Sequence, residues 1–232
     1  MEENSSFLKN KIFFDSPNRN IVPISTTIDK NGELSIAQCS IHNLIERYGS
    51  PLYILDEISL RSSCKAYKKA LDKYYPGKSL PIYASKANSS LFMSNLIHSE
   101  GLGLDAVSEG ELITALNGGV DYKKIVFHGN NKSDKEIDFA IRNNIKIIVD
   151  NDYDLKRLEG ISNSLNHDLE IMIRFTPGIE CHTHEYIRTG SFDSKFGFGI
   201  EYLNNLFASI SKTKHLKLKG IHAHIGSQIF EL

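Results

Sequence analysis

The sequence has no tryptophan and only three cysteines among its 232 residues. Cys39, Cys64 and Cys181 are far apart and odd in number, so they fit neither a disulfide framework nor a cysteine metal site. Free thiols, mostly buried, in a reducing cytoplasmic setting are the expectation. An excess of either charge is also missing: 27 basic and 28 acidic residues give a formal net charge of −1. With the charges interspersed, a nucleic-acid footprint and a polybasic membrane surface are both disfavoured. No apolar run is long enough to cross a bilayer. The opening "MEENSSFLKNKIFF" has early acidic residues and lacks the apolar core of a secretory signal. No G-x-G-x-x-G occurs anywhere.

What is present is a repeat. Residues 1–35 read as irregular, with a turn at "DKNGE". "ELSIAQCSIHNLIERYG" has helical apolar spacing and closes on Gly49. "PLYILDE" reads as a strand and "SLRSSCKAYKKALDKYY" as a helix capped by Ser59. From Leu80 onward, apolar strands alternate with amphipathic helices. The strands are "LPIYASKAN", "GLDAVS", "KIVFHGN", "KIIVDN", "LEIMIRFTPG" and "LKGIHAHIG". Ser108 with Glu111, and Ser133 with Glu136, give S-x-x-E capping boxes at two of the intervening helix starts. Strands alternating with helices at this pitch predict a parallel sheet covered by helices.

An open doubly wound sheet would want a glycine-rich turn after its first strand, and "YASKANSS" has none. A closed barrel puts functional side chains at the C-terminal ends of many strands. Lys86, Asp105, His128, Asp150, Arg174 and His224 each fall at or near the end of a different strand. The expectation is therefore a (β/α)8 TIM-type barrel with a polar mouth. Only six strands are found, or seven with "PLYILDE", where eight are needed, so the barrel is expected to be incomplete. The inferred chain is the N-terminal part of a longer protein, with residues 1–50 as a leading segment and 51–232 as the partial barrel.

Strand alternation sets Ile82, Ala84 and Lys86 on one face. An amine carried into a barrel mouth and partly removed from water can attack a carbonyl carbon; a solvated strand-end lysine is the plainer alternative. His222 and His224 share a face of their strand. An H-x-H pair can hold a metal, and "HTH" (His182, His184) offers a second pair. No acidic ligand falls at a partner spacing, so no metal site is assigned. A flat imidazole at a barrel mouth can instead stack on a planar ring. Gly226 and Ser227 can offer a backbone N–H and a hydroxyl to a phosphate. Asp105 either pairs with a cation in the mouth or caps the following helix. Arg174, facing inward with Met172, needs an anion beside it: a ligand group or a structural carboxylate.

"YASKAN", "GLDAVSEGEL", "FHGNNKS", "HTHEYIRTGSFDSKFG" and "HAHIGSQI", in this order and spacing, resemble the diaminopimelate decarboxylases. These are pyridoxal 5'-phosphate enzymes of the alanine-racemase-like barrel fold. The resemblance runs from about residue 40 to the end of the chain. It implies that Lys86 holds the cofactor covalently, that His224 stacks on its ring, and that Ser227 meets its phosphate. It also implies that Asp105 and Arg174 lie close to the cofactor. Glu109 stands where the family often has glycine, so a different loop shape is expected there. The implied reaction converts meso-2,6-diaminopimelate to L-lysine and carbon dioxide, in a cytoplasmic homodimer. Related decarboxylases of ornithine, arginine or carboxynorspermidine, and a non-catalytic cofactor-binding barrel, are the alternatives. The resemblance further implies that the last barrel strands and most of a C-terminal β domain lie beyond Leu232, and that the chain alone is inactive.

Overall fold

The computed structural model describes residues 21–178 and 196–226. The chain packs as two units, 1–79 and 80–232.

In the first unit, β1 (Thr26–Ile28), β2 (Leu34–Ile36) and β3 (Cys39–Ser40) form a three-stranded antiparallel sheet. The expected turn at "DKNGE" joins β1 to β2: Gly32 N–H bonds the Asp29 carbonyl, and the Asp29 carboxylate accepts from Asn31 and Glu33. The remainder of the expected long helix is shorter than its apolar spacing suggests. Ala37 and Gln38 take positive φ values of 49° and 65°, which turns the chain back from β2 into β3. Only α1 (Ile41–Tyr48) is helical, with Ser40 as its N-cap. "PLYILDE" is not a strand. Residues 51–56 join no strand among the described residues, and Tyr53 is 100% exposed. Helix α2 (Glu57–Tyr74) starts ahead of the expected cap. Asp56, not Ser59, is the N-cap, and its carboxylate accepts from Ile58 and Ser59 N–H. Cys64 is buried as expected, but Cys39 is exposed because β3 lies on an open sheet.

The second unit is the predicted repeat. Six strands run parallel in strict sequence order: β4 (Ile82–Ala84), β5 (Gly103–Ala106), β6 (Ile125–Phe127), β7 (Lys146–Val149), β8 (Leu169–Phe175) and β9 (Leu216–Ala223). Between them lie α3 (Leu91–Ser99), α4 (Glu109–Asn117), α5 (Asp134–Arg142), α6 (Asp152–Leu165) and α7 (Leu203–Ile210). Sequential parallel strands with a helix in each crossover are the topology of a β/α barrel rather than a doubly wound sheet.

Alternation along the strands divides the sheet's faces. Leu104, Ala106, Ile125, Phe127, Ile147, Val149, Ile171 and Ile173 point outward and pack with helix residues such as Leu112, Ile137, Ile141, Leu158 and Leu206. The intervening residues point inward and end, at the top of each strand, in polar groups. Where β5 meets β6 the approach is close: a Cβ at Gly103 would lie 2.5 Å from the Lys124 carbonyl oxygen. Each of α3 to α6 begins a few residues after its strand on a side-chain cap: Ser90, Ser108, Ser133 and Asn151. Short loops tied down in this way fix where the strand-end side chains stand.

Candidate functional site at the strand ends

Strand β4 stops at Ala84, and Ser85–Ala87 wind into a 3-10 turn. The strand alternation expected to carry Lys86 therefore ends short of it. Ser85, which opens that turn, is buried, and its hydroxyl donates to Glu111 Oε2 at 3.0 Å. Lys86 still reaches the mouth, now from the turn, and lines both of the adjoining cavities there, of about 180 and 360 Å³. Glu111 Oε2 also accepts from Val107 N–H at 2.7 Å, so one carboxylate ties the Lys86 turn to the end of β5. This corrects the first expected capping box. Ser108 caps the Glu111 N–H, but the Glu111 carboxylate is spent elsewhere, whereas the Ser133–Glu136 box is complete. Glu109 is the first residue of α4. Its N–H bonds Glu136 and its carboxylate pairs with Lys135 at 3.1 Å, so α5 shapes that loop.

Asp105, His128, His222 and His224 line the inner cavity with Lys86. Asp105 does not cap α4, since Ser108 does. Burial, helped by the Glu111 charge, pushes the Asp105 carboxyl up to about 6, and its Oδ1 has no hydrogen-bond partner. Arg174 is 3% exposed. Its Nη1 lies 2.6 Å from His128 Nε2 and 3.5 Å from Asp150 Oδ1, and its guanidinium carbon lies 4.4 Å from the centre of the Phe196 ring. The anion that a buried arginine requires is thus Asp150, itself fully buried. Burial raises the Asp150 carboxyl, opposed by the Arg174 charge and by the Gly197 backbone N–H.

A guanidinium only donates, so His128 Nε2 accepts, and the neutral ring carries its proton on Nδ1. Burial and then the Arg174 charge push His128 down to about 3 and His222 down to about 4. His224 is lowered by burial and then by Lys86 and Arg174. The His128 and His222 ring centres are 5.0 Å apart. The mouth therefore presents uncharged flat rings beside Lys86 and Arg174, and His222 Nδ1 has no hydrogen-bond partner among the described residues.

All six strand-end residues singled out in the sequence lie at this end of the sheet. Gly226 follows β9 with φ of 114°, a conformation that favours glycine. Ser227, His182, His184 and Cys181 lie outside the described residues. Sequence reasoning missed three contributors. Glu111 was legible only as a cap. Lys132 and Asp154 form a buried ion pair at 2.7 Å, and they are 22 positions apart. Among the described residues, no group of three or more His, Cys, Asp or Glu is placed to hold a metal. No described helix is long and apolar enough to cross a membrane.

Fold and site together define a β/α-barrel protein with a polar ligand mouth at the C-terminal strand ends. Residues 57–232 match the family of pyridoxal-dependent decarboxylases through its pyridoxal binding domain, and the chain belongs to that family. Among curated relatives, the diaminopimelate decarboxylase of Synechocystis sp. is 50% identical over 224 residues, covering 93% of this chain and 48% of its own length. That of Bacillus subtilis is 42% identical over 206 residues, covering 88% and 47%. The solved diaminopimelate decarboxylase from M. jannaschi superposes with a TM-score of 0.81 at 31% identity, over 89% of this chain and 49% of that one. The chain thus spans about half the length of the relatives it matches, and its fold is the alanine-racemase-like barrel.

The residues of the mouth fit the cofactor the family implies. Pyridoxal phosphate is a flat, anionic aldehyde. The cavity supplies a lysine amine, cationic Arg174, neutral imidazoles, and buried polar atoms on Asp105 and His222 that have no hydrogen-bond partner among the described residues.

Proposed function

We propose that this chain forms the cofactor-binding barrel of a diaminopimelate decarboxylase, a carboxy-lyase converting meso-2,6-diaminopimelate to L-lysine and carbon dioxide. The observation that carries the reading is the convergence of Lys86, Arg174 and the neutral histidines on one cavity at the strand ends. The 50% and 42% identities to diaminopimelate decarboxylases support the choice of substrate.

Pyridoxal phosphate, when bound, supplies an electron sink for the carbanion left by loss of carbon dioxide. The protein's own residues do the rest. Lys86 offers the primary amine that holds the aldehyde carbon. His224, kept neutral by burial and neighbouring cations, offers a flat face to the ring. Arg174, braced by Asp150 and His128, holds a positive charge for an anionic oxygen. Asp105, raised to about 6 by burial and the Glu111 charge, can serve as an acid–base group in the cavity, and the Lys86 and Arg174 charges oppose that rise. Gly226, which follows β9, would offer its backbone to a phosphate, and the next residue in the sequence, Ser227, a hydroxyl. A cytoplasmic homodimer belongs to the same reading.

The test is an assay of the full-length protein with pyridoxal phosphate and meso-diaminopimelate, ornithine, arginine or carboxynorspermidine. Lysine release from diaminopimelate alone is expected, together with a cofactor absorbance band that Lys86→Ala abolishes. Turnover of another substrate in its place, or a band that survives Lys86→Ala, would reject the reading.

A further inference from the structure

Lys132 is a buried cation that the chemistry above does not use. It is 3% exposed. Its Nζ donates to Asp154 Oδ2 at 2.7 Å, to the Gly129 carbonyl at 2.6 Å and to the Ile148 carbonyl at 3.0 Å. An ammonium has three donors, and all three are used. The acceptors belong to three different elements: the first turn of α6, the loop after β6, and β7. Asp154 Oδ2 accepts in addition from the Asp150 N–H at 3.1 Å. From outside, Arg157 Nη1 donates to the Lys132 carbonyl at 2.6 Å, and the same guanidinium pairs with Asp134.

A buried ion pair is a poor source of stability, because desolvation of both charges offsets their attraction. Apolar side chains of similar volume would fill the space as well. What they could not do is hold two carbonyls in fixed directions. One of those carbonyls belongs to Gly129, whose φ of 138° turns the loop back beneath the mouth. Gly129 directly follows His128, and His128 N–H is anchored to the Ala106 carbonyl at 2.8 Å. The ring is thus held from one side by β5 and from the other by the Lys132 loop.

We propose that Lys132 is a positioning residue: its ammonium fastens the 129–132 loop to β7 and α6, and so fixes the His128 ring with Nε2 toward Arg174 at the cavity wall. The groups facing that ring are Arg174 from β8, His222 and His224 from β9, Asp150 after β7, and Lys132 itself. The mouth keeps its shape because a charge outside the chemistry holds the loop that lines it. The proposal rests on the cofactor reading only for its second readout.

Lys132→Met alone leaves a buried, unpaired Asp154 and is expected to lower stability, so the deciding variant is the double Lys132→Met/Asp154→Leu. Its fold should hold, since the pair is replaced by apolar groups of similar size. The first readout is the histidine ring nitrogens, followed by NMR against pH. In the native chain, His128 is expected to stay neutral with Nε2 unprotonated down to about pH 4, above its depressed value of about 3. In the double variant its value should rise as the ring leaves its fixed place against Arg174, while burial still holds it below the ordinary histidine value of about 6.5. Gly129→Ala, which strains the loop but leaves the ion pair in place, should release His128 in the same direction. The second readout is pyridoxal phosphate affinity, expected to fall about tenfold in the double variant, the scale of a lost hydrogen bond or two. A His128 that stays neutral and bonded through Nε2 in both variants overturns the proposal. A native chain that takes up no pyridoxal phosphate overturns the preceding functional reading, and the His128 signal then decides the role of Lys132 by itself.

Discussion

Arg174 Nη1 stands 2.6 Å from His128 Nε2, and 3.5 Å from the same nitrogen lies Oδ1 of Asp150, a fully buried carboxylate. The three residues end strands β6, β7 and β8, so one ion pair and one hydrogen bond join three adjacent strand ends into the wall of the mouth. An arginine held from behind in this way faces the cavity with its charge in place before any ligand arrives. Such preorganisation avoids the cost of ordering the side chain on binding.

Removing Asp150 should therefore hurt more than removing a surface carboxylate. Asp150→Ala leaves the Arg174 guanidinium buried without its anion, and a loss of about 3–5 kcal/mol is expected from breaking one side of a buried pair. Urea unfolding of native and variant chains measures it. A change comparable to that of an exposed pair, below about 1 kcal/mol, would mean that Arg174 finds another partner.

The pH dependence of stability follows from the depressed histidines. His128 and His222 have folded values of about 3 and about 4 against 6.5 unfolded. Between those limits the unfolded chain binds more protons, so these two groups make stability fall as pH drops below about 6.5. Asp105 acts with the opposite sign. Its folded value of about 6 exceeds the unfolded 3.8, so in that window the folded chain binds more protons and stability falls as pH rises. Asp105→Asn removes the opposing group. Thermal midpoints measured from pH 4 to pH 7 should then drop more steeply with acid than in the native chain. An unchanged slope would show that Asp105 titrates normally.

Glu111 ties the Lys86 turn to β5 through Ser85 and Val107. Glu111→Leu leaves the buried Ser85 hydroxyl without its acceptor, at an expected cost of about 1–3 kcal/mol. Cofactor affinity should weaken as well, because Ser85 directly precedes Lys86. Glu111→Gln keeps one acceptor oxygen and should recover part of both losses. Equal behaviour of the two variants in equilibrium dialysis against pyridoxal phosphate would speak against the tether.

The outer core should be sensitive in the ordinary way. Phe127 is fully buried between β6 and the helices, and Phe127→Ala should cost about 3–5 kcal/mol. The loss should be read by denaturant titration. A value under about 1 kcal/mol would indicate that the sheet–helix interface is not packed as described.

Much of this was legible in the sequence for a physical reason. Apolar strand cores such as "KIVF" and "KIIV" are buried on both faces, so they read as short continuous runs, and Ser or Asn caps mark where each helix resumes. The six strand-end polar residues were visible because the fold puts one residue per strand at the mouth. Apolar content misled where burial did not follow it: "PLYILDE" has the composition of a strand, yet Tyr53 is wholly exposed and no described strand pairs with the segment. Helical spacing from Glu33 onward was interrupted by the positive-φ pair Ala37 and Gln38, which neither residue type announces. Lys132 and Asp154 meet only because α6 folds back over the β6 loop, and no local pattern joins residues so far apart.

The central claim is that the Lys86 amine is the cofactor's anchor. Its most direct test is to incubate the chain with pyridoxal phosphate, reduce with borohydride, and map the modified peptide by mass spectrometry. The account predicts a pyridoxyl group on Lys86 and on no other lysine, Lys132 included. A label on a different lysine, with Lys86 unmodified, would contradict it.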